Sequence, residues 1–228
     1  MLQKTPVFSV ERAHKAQLLM SRQIVFEDRL PKKIRLIGAV DVAYTKNMSI
    51  GAAVVLDYKS FELLESQTAV CETRLPYIPT LLSFREIPST VGSIKKLRLH
   101  PDVFLVDGQG FAHPYRCGLA SHLGLALNRP TIGAAKSRLF GDEENKEAND
   151  FTLLRHRDEI VGAAVTTKRG SKPIYVSVGH MVSLKTAIRI VRKCARGNRV
   201  PDPLLRAHEA ANAQKQKSIS DPEITTRR

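Results

Sequence analysis

Cysteine is scarce in this chain, acidic residues are outnumbered, and no apolar run is long. Each shortage removes a class of answer. The three cysteines, Cys71, Cys117 and Cys194, are odd in number and far apart, with no Cys-X-X-Cys pair. That argues against a disulfide framework or a zinc site and leaves them as small core residues. No stretch is apolar enough for long enough to span a bilayer, and the N-terminus lacks the charged, apolar, small-residue order of a signal peptide, so the expected location is the cytoplasm. Internal repeats are absent, as is any Gly-X-X-X-X-Gly-Lys-Ser/Thr loop, which counts against an ATP-dependent phosphotransferase.

What the chain has in excess is positive charge. Its 228 residues carry 36 Lys+Arg against 22 Asp+Glu, a formal +14, and the sequence pI is near 10.0. Residues 151–228 hold 16 basic and 6 acidic residues, net +10, leaving +4 for the remainder. Such a skew points to a polyanionic partner, and without a lipid anchor nucleic acid is favoured over membrane. A hydrophobic content of 43% is enough for one substantial core. The expected organisation is a single domain over residues 1–212 with a disordered tail over 213–228, and a monomer with no obligate protein partner.

The chain turns on one stretch, Asp102-Val-Phe-Leu-Val-Asp107-Gly108-Gln109-Gly110-Phe-Ala-His113-Pro114. Four apolar residues between aspartates, breaking into Gly-X-Gly, read as a short strand buried on both faces, with Asp107 at its carboxyl end. Ligands gather at such strand ends in sheets fed by crossover helices. An isolated Asp-Gly is more often a turn cap; a second aspartate, Asp41, shifts the balance. It falls within the apolar run 34–44, where an unpaired carboxylate is costly.

Residues 9–25 read as a helix capped by Ser9, with Ala13, Ala16, Met20 and Ile24 facing inward. The runs 34–44, 50–58 and 61–71 form an antiparallel meander. Pro76-Tyr77-Ile78-Pro79 is a stiff loop whose aromatic could wedge between bases or simply pack on its own loop. Thr80–Glu86 predicts about two helical turns stopped at Pro88, and 90–99 a crossover helix making 102–107 parallel to the first strand. A helix over 117–127 and a buried strand over 130–135 follow, putting Lys136 at a strand end, where lysines are more often solvated than functional. Residues 141–150 read as an acidic surface loop. Strands at 161–167 and 174–178 flank a basic turn, and Ser183 caps a helix whose Lys185, Arg189, Arg192 and Arg196 share one face, a stripe suited to phosphates. Pro201–Ala213 is a further helix bearing His208.

If the strands carrying Asp41 and Asp107 are neighbours, the two carboxylates converge, with Glu86 from the segment between as a third. Oxygen ligands of that kind select Mg²⁺ or Mn²⁺ over zinc. A meander followed by parallel strands and helices predicts an α/β, ribonuclease H-like mixed sheet flanked by helices.

In order, Val40-Asp41-Val42-Ala43-Tyr44, Pro76-Tyr77-Ile78-Pro79, Leu82-Ser83-Phe84-Arg85-Glu86, Val106-Asp107-Gly108-Gln109-Gly110-X-Ala112-His113-Pro114, Ala120-Ser121-His122-Leu123-Gly124, Ala135-Lys136-Ser137 and Val176-Ser177-X-Gly179-His180 resemble the blocks of the prokaryotic endonuclease V family, the deoxyinosine 3′ endonucleases. The resemblance implies that Asp41, Glu86 and Asp107 hold Mg²⁺, with Mn²⁺ also supporting activity, and that Lys136 and His208 approach the scissile phosphate. It implies that Tyr77 is a wedge and that Pro79, Gly108, Gly110, His113 and Ala135 lie at the DNA and its base pocket; Lys185 and Arg189 are expected to add DNA contacts from the basic stripe alone. The implied reaction cuts the second phosphodiester bond 3′ to deoxyinosine in DNA, leaving a 3′-hydroxyl and a 5′-phosphate. Where the family usually has glycine after the second proline, this chain has Thr80. A β-branched residue disfavours positive φ, which predicts an altered loop shape. Two rivals remain open: a related nuclease acting on inosine-containing RNA or on branched or mismatched nucleic acid, and a non-catalytic nucleic-acid-binding module.

Overall fold

The computed structural model describes residues 8–144 and 151–220. Its centre is a nine-stranded mixed sheet. The meander comprises β1 (Leu36–Tyr44), β2 (Met48–Asp57) and β3 (Leu63–Glu72), paired antiparallel with Val40 opposite Ala53 and Ala53 opposite Gln67. On its other side β1 pairs in parallel with β4 (Val103–Val106), and β4 in parallel with β5 (Thr131–Ala135). The remaining strands, β6 (Asp142–Glu143), β7 (Phe151–His156), β8 (Glu159–Val165) and β9 (Ile174–His180), are antiparallel. The order across the sheet is β3-β2-β1-β4-β5-β9-β8-β7-β6. This is the expected ribonuclease H-like arrangement.

Both sheet faces are covered, which is why the central strands read as continuous apolar runs rather than alternating ones. Ile37, Ala39, Val103 and Leu105 face one core, shared with α4 (Leu184–Ala195) and α5 (Asp202–Ser220). Val40, Phe104 and Val106 face the other, with Ile87, Val91 and Leu123 of α2 (Leu82–Ile94) and α3 (Leu119–Leu127). Helix α2 lies so close to β2 that a Cβ on Gly51 would stand 2.3 Å from the Ser89 carbonyl oxygen. Only glycine permits that approach. Cys117 and Cys194 are core residues as expected, and burial pushes both thiols up to about 12. No helix among the described residues is long and apolar enough to cross a membrane.

The structure corrects the reading in five places. The two short helices expected on either side of Pro88 are one helix, α2, with Pro88 inside it. The proline removes one backbone donor, but it sits on the exposed side of a helix whose other face, Ser83, Glu86, Ser89, Thr90 and Ser93, is buried, so packing carries the helix past it. Helix α1 (Val10–Ser21) is capped by Ser9 as expected, but it buries Ala13 and Gln17 and leaves Leu18 and Leu19 exposed. The acidic loop expected at 141–150 contains β6, which pairs with β7, a strand the reading did not anticipate; 145–150 lie outside the described residues. Residues 213–220, expected to be disordered, continue α5 because Ala211 and the partly buried face beyond it still pack on the sheet; 221–228 lie outside the described residues. Finally, α4 does not place its basic stripe beside the carboxylates. Its capping residue Ser183 donates its N–H to Asp28, and His180 just before it pairs with Thr131 at the start of β5. Lys185 and Arg189 therefore lie at the sheet edge opposite the one where β1, β4 and β5 end. Farther along the helix and at its C-cap, Lys193 and the stripe's Arg196 lie over the rings of Tyr58 and Phe61, and Arg196 also pairs with Asp202.

Candidate active site

Strand alternation aims the two aspartates. Asp41 has the parity of Ile37 and Ala39, Asp107 that of Val103 and Leu105, so both point to the α5 side of the sheet. Because Val40 is in register with Val106, the next residues of each strand are side by side, and the Asp107 N–H still donates to the Val40 carbonyl at 3.2 Å. Both side chains are still largely covered, with 13% of Asp41 and 16% of Asp107 exposed. Two carboxylates thus stand adjacent at the edge of an otherwise apolar sheet.

Each aspartate is engaged by a cationic or titratable side chain. Lys136, at the end of β5, pairs with Asp107 Oδ2. His208, on α5, sits with Nδ1 2.7 Å from Asp41 Oδ2, while Asp41 Oδ1 accepts from the Val42 N–H at 2.8 Å. The Asn212 amide lies 3.0 Å from His208 Nε2 and also donates to the His208 carbonyl. With the amide donating, Nε2 is the acceptor and the ring proton sits on Nδ1, facing Asp41. Asn212 was missed in the sequence. Its spacing of four from His208 on one helix face was the available signal.

Glu86 comes from α2, on the opposite side of the sheet, and is 7% exposed. It accepts a hydrogen bond from the Tyr44 hydroxyl at 2.8 Å, and Arg85 lies over the Tyr44 ring at 4.3 Å. Burial is the main cause that lifts the Glu86 carboxyl to about 8; the Tyr44 bond opposes it, and the charges of Asp41 and Asp107 add to it. Asp107 is likewise pushed up by burial first and by Asp41 next, with Lys136 opposing. Three carboxylates sharing one field cannot all ionise cheaply without a cation. Among the described residues no three His, Cys, Asp or Glu side chains are gathered closely enough to enclose an ion; in this arrangement Lys136 and His208 hold the aspartates' oxygens. The donor chemistry nonetheless fits a hard divalent ion: only oxygens, crowded negative charge, and basic groups that can give up the carboxylates without losing their other anchors.

Beside Asp107 opens a cavity of about 370 Å³, lined among others by Tyr77, Pro79, Gly108, Ala135 and Lys136. Tyr77 is 68% exposed at its mouth. Gly110 is not in the lining. It packs against β9, where a Cβ would meet the Val178 carbonyl oxygen at 2.2 Å. His113 borders the cavity but is 3% exposed, and backbone groups hold both its ring nitrogens: Nδ1 accepts from the Tyr115 N–H at 3.1 Å, so Nε2 donates to the Thr80 carbonyl at 3.0 Å. Burial holds its pKa down at about 4, keeping the ring neutral. It supports the loop wall instead of presenting itself to a ligand. Thr80, expected to reshape the loop, accepts the left-handed conformation after all, at φ +73°.

The basic turn read between the strands at 161–167 and 174–178, to which the sequence assigned no role, lies on this edge. Lys168, Arg169 and Lys172 are exposed in the turn between β8 and β9, at the edge where β5 ends. Arg199 ties that turn to Lys136, donating to the carbonyls of Lys136 at 2.6 Å and Lys172 at 2.9 Å.

The sequence profile of endonuclease V matches residues 19–209. The endonuclease V of Thermofilum pendens is 44% identical over 207 residues, which is 90% of this chain and 89% of the relative. Among solved structures, endonuclease V from Streptomyces avermitilis aligns with a TM-score of 0.87 at 34% identity over 92% of this chain and 95% of that one. Ciona intestinalis endonuclease V, solved in complex with a 24mer DNA containing an inosine followed by a ribo-adenosine, aligns with a TM-score of 0.82 at 30% identity over 91% and 98%. Paired strand-end aspartates, a third carboxylate from the crossover helix and a profile match over most of the length lead to one assignment: the chain belongs to the endonuclease V family.

Proposed function

We propose that this protein is a DNA repair endonuclease that recognises deoxyinosine and hydrolyses the second phosphodiester bond on its 3′ side, leaving a 3′-hydroxyl and a 5′-phosphate. The observation that carries the proposal is the side-by-side pair Asp41 and Asp107, with Asp107 lining a cavity that an exposed tyrosine also borders. Asp41 and Asp107, with Glu86 behind them, would hold Mg²⁺. When bound, the ion supplies charge neutralisation at the phosphate and activation of water.

The chain's own residues do the rest. Lys136 leaves Asp107 to neutralise a phosphate oxygen, and His208, its tautomer set by Asn212, stands beside Asp41 to move a proton. Tyr77 fills the gap left when the altered base leaves the stack, and the cavity beside Gly108 and Ala135 receives the base. Inosine pairs weakly, so extruding it costs less than extruding a normal base.

The test is a panel of end-labelled oligonucleotides with one inosine, or adenine or guanine in its place, as single strand and duplex, with and without Mg²⁺. A ribonucleotide version belongs in the panel because the strand bound by the Ciona relative carries a ribo-adenosine after the inosine. One Mg²⁺-dependent cut two bonds 3′ to inosine, with the unmodified strands intact, is the expected outcome. Equal cutting of the adenine strand would remove inosine from the proposal.

The basic turn makes a second prediction. Neutralising two of Lys168, Arg169 and Lys172 should weaken binding to all sequences alike and reduce the slope of log affinity against log salt by about one to two units. Lys185→Ala with Arg189→Ala, at the opposite edge, should leave the slope unaltered. The reverse pattern would return the phosphate track to α4.

A further inference from the structure

Thr80 is the most heavily anchored residue of the loop that carries Tyr77, although its own backbone resists the conformation it holds. At φ +73° it is a β-branched residue in the left-handed region, a genuine outlier that persists only where surroundings impose it. Three side chains do so. Helix α1 contributes two from one face: His14 shares a hydrogen bond of 2.9 Å with the Thr80 hydroxyl, and the fully buried Gln17 donates to the Thr80 carbonyl at 2.8 Å. His113 donates to the same carbonyl at 3.0 Å.

These anchors are themselves held. The His14 ring stacks on Tyr115 with centroids 3.9 Å apart and planes within 13°, and the Gln17 amide also donates to the Cys117 carbonyl at 2.9 Å. Helix α1 and the loop after Asp107, distant in sequence, therefore clamp one residue. Three positions before it, Tyr77 projects 68% exposed over the cavity. With so little of its own surface packed, the tyrosine takes its position from the base of its loop.

We propose that Thr80 is a positioning residue for recognition of the altered base: its hydroxyl, locked to His14, holds the Tyr77 tip over the cavity before substrate arrives. The inference rests on the reading of Tyr77 as the wedge. A preset tip does not have to be ordered on binding, so the latch acts on affinity, not on the hydrolytic step.

The experiment compares kcat and KM on inosine-containing duplex, together with Tm, for wild type, Thr80→Val, Thr80→Ser, Thr80→Gly and His14→Ala, each with and without Tyr77→Ala. Thr80→Val keeps the shape and deletes the hydroxyl. It should raise KM about three- to tenfold with kcat within about twofold, the size expected for one hydrogen bond. Thr80→Ser should restore KM, and His14→Ala should match Thr80→Val without adding to it. Thr80→Gly separates positioning from stability: glycine accepts φ +73° without strain, so Tm should be at or above that of Thr80→Val while KM stays raised. In the Tyr77→Ala background none of these changes should matter. If Tyr77→Ala raises KM but Thr80→Val and Thr80→Gly do not, the latch is refuted and the wedge survives. If Tyr77→Ala itself leaves KM unaltered, both fall. Equal effects of Thr80→Val with and without Tyr77 would also overturn the proposal.

Discussion

Asp107→Ala should reduce cleavage in Mg²⁺ by on the order of a thousandfold or more, and Asp41→Ala by a similar factor. On the proposed reading these side chains would bind the metal together between adjacent strands, so losing either would remove the arrangement rather than half of it. The fold should not suffer. Burial and the neighbouring Asp41 charge both disfavour the ionised form of Asp107, and a carboxyl whose pKa is raised on folding makes the protein less stable above its unfolded value. Deleting it should leave Tm unchanged or slightly raised after the Lys136 pairing is lost. Affinity for nucleic acid in Ca²⁺ should survive as well, because removing a negative charge does not weaken a polyanion's binding. Single-turnover cleavage, a thermal melt and a titration in Ca²⁺ check the three statements together. A variant that cuts at near wild-type rate would falsify the metal assignment, and one that fails to melt cooperatively would make the aspartates structural.

Tyr77→Ala should carry the largest effect on recognition. A ring stacking into the gap left by an extruded base contributes roughly 1–3 kcal/mol, so affinity for inosine-containing duplex should fall about fivefold to a hundredfold. Contacts to the backbone would come from elsewhere, on the proposed reading including the turn at Lys168–Lys172, and would persist. Binding to matched, unmodified duplex should therefore hardly change, and the ratio between the two duplexes should shrink. Paired titrations in Ca²⁺, wild type against Tyr77→Ala, measure that ratio directly. An unchanged ratio would make Tyr77 a surface residue of no consequence for the base.

The parts of this site legible in the sequence are those fixed by strand periodicity. Val103–Val106 could only be a strand buried on both faces, and that alone put Asp107 at a strand end; the apolar run around Asp41 did the same, and parallel pairing in register made them neighbours. Ser9 and Ser183 cap their helices as side-chain chemistry requires. What stayed hidden depends on tertiary context. Pro88 looked like a terminator because a missing N–H is a local fact, whereas the burial of the opposite helix face that carries the helix past it belongs to the tertiary fold. The α4 stripe is a true helical face, but periodicity says nothing about which edge of a sheet a helix end reaches. His113 was placed at the DNA by the resemblance, and its burial and its bond to the Thr80 carbonyl of another segment show only in the fold. Arg199 acts by donating to the backbone carbonyls of Lys136 and Lys172, far from it in sequence, which leaves no spacing to recognise, whereas Asn212 lay one helical turn from His208.

The central claim is that Asp41 and Asp107 give up Lys136 and His208 to share a divalent ion at the strand ends. The direct measurement is a crystal structure with inosine-containing DNA in Mn²⁺ for an inactive form, or in Ca²⁺ for the wild type, with the ion located by its anomalous signal. The account predicts a peak ligated by carboxylate oxygens of both aspartates, about 2.0–2.6 Å away, with Lys136 Nζ moved from Asp107 to a phosphate oxygen. A peak elsewhere, or a bound strand with both Lys136–Asp107 and His208–Asp41 still paired, would contradict it.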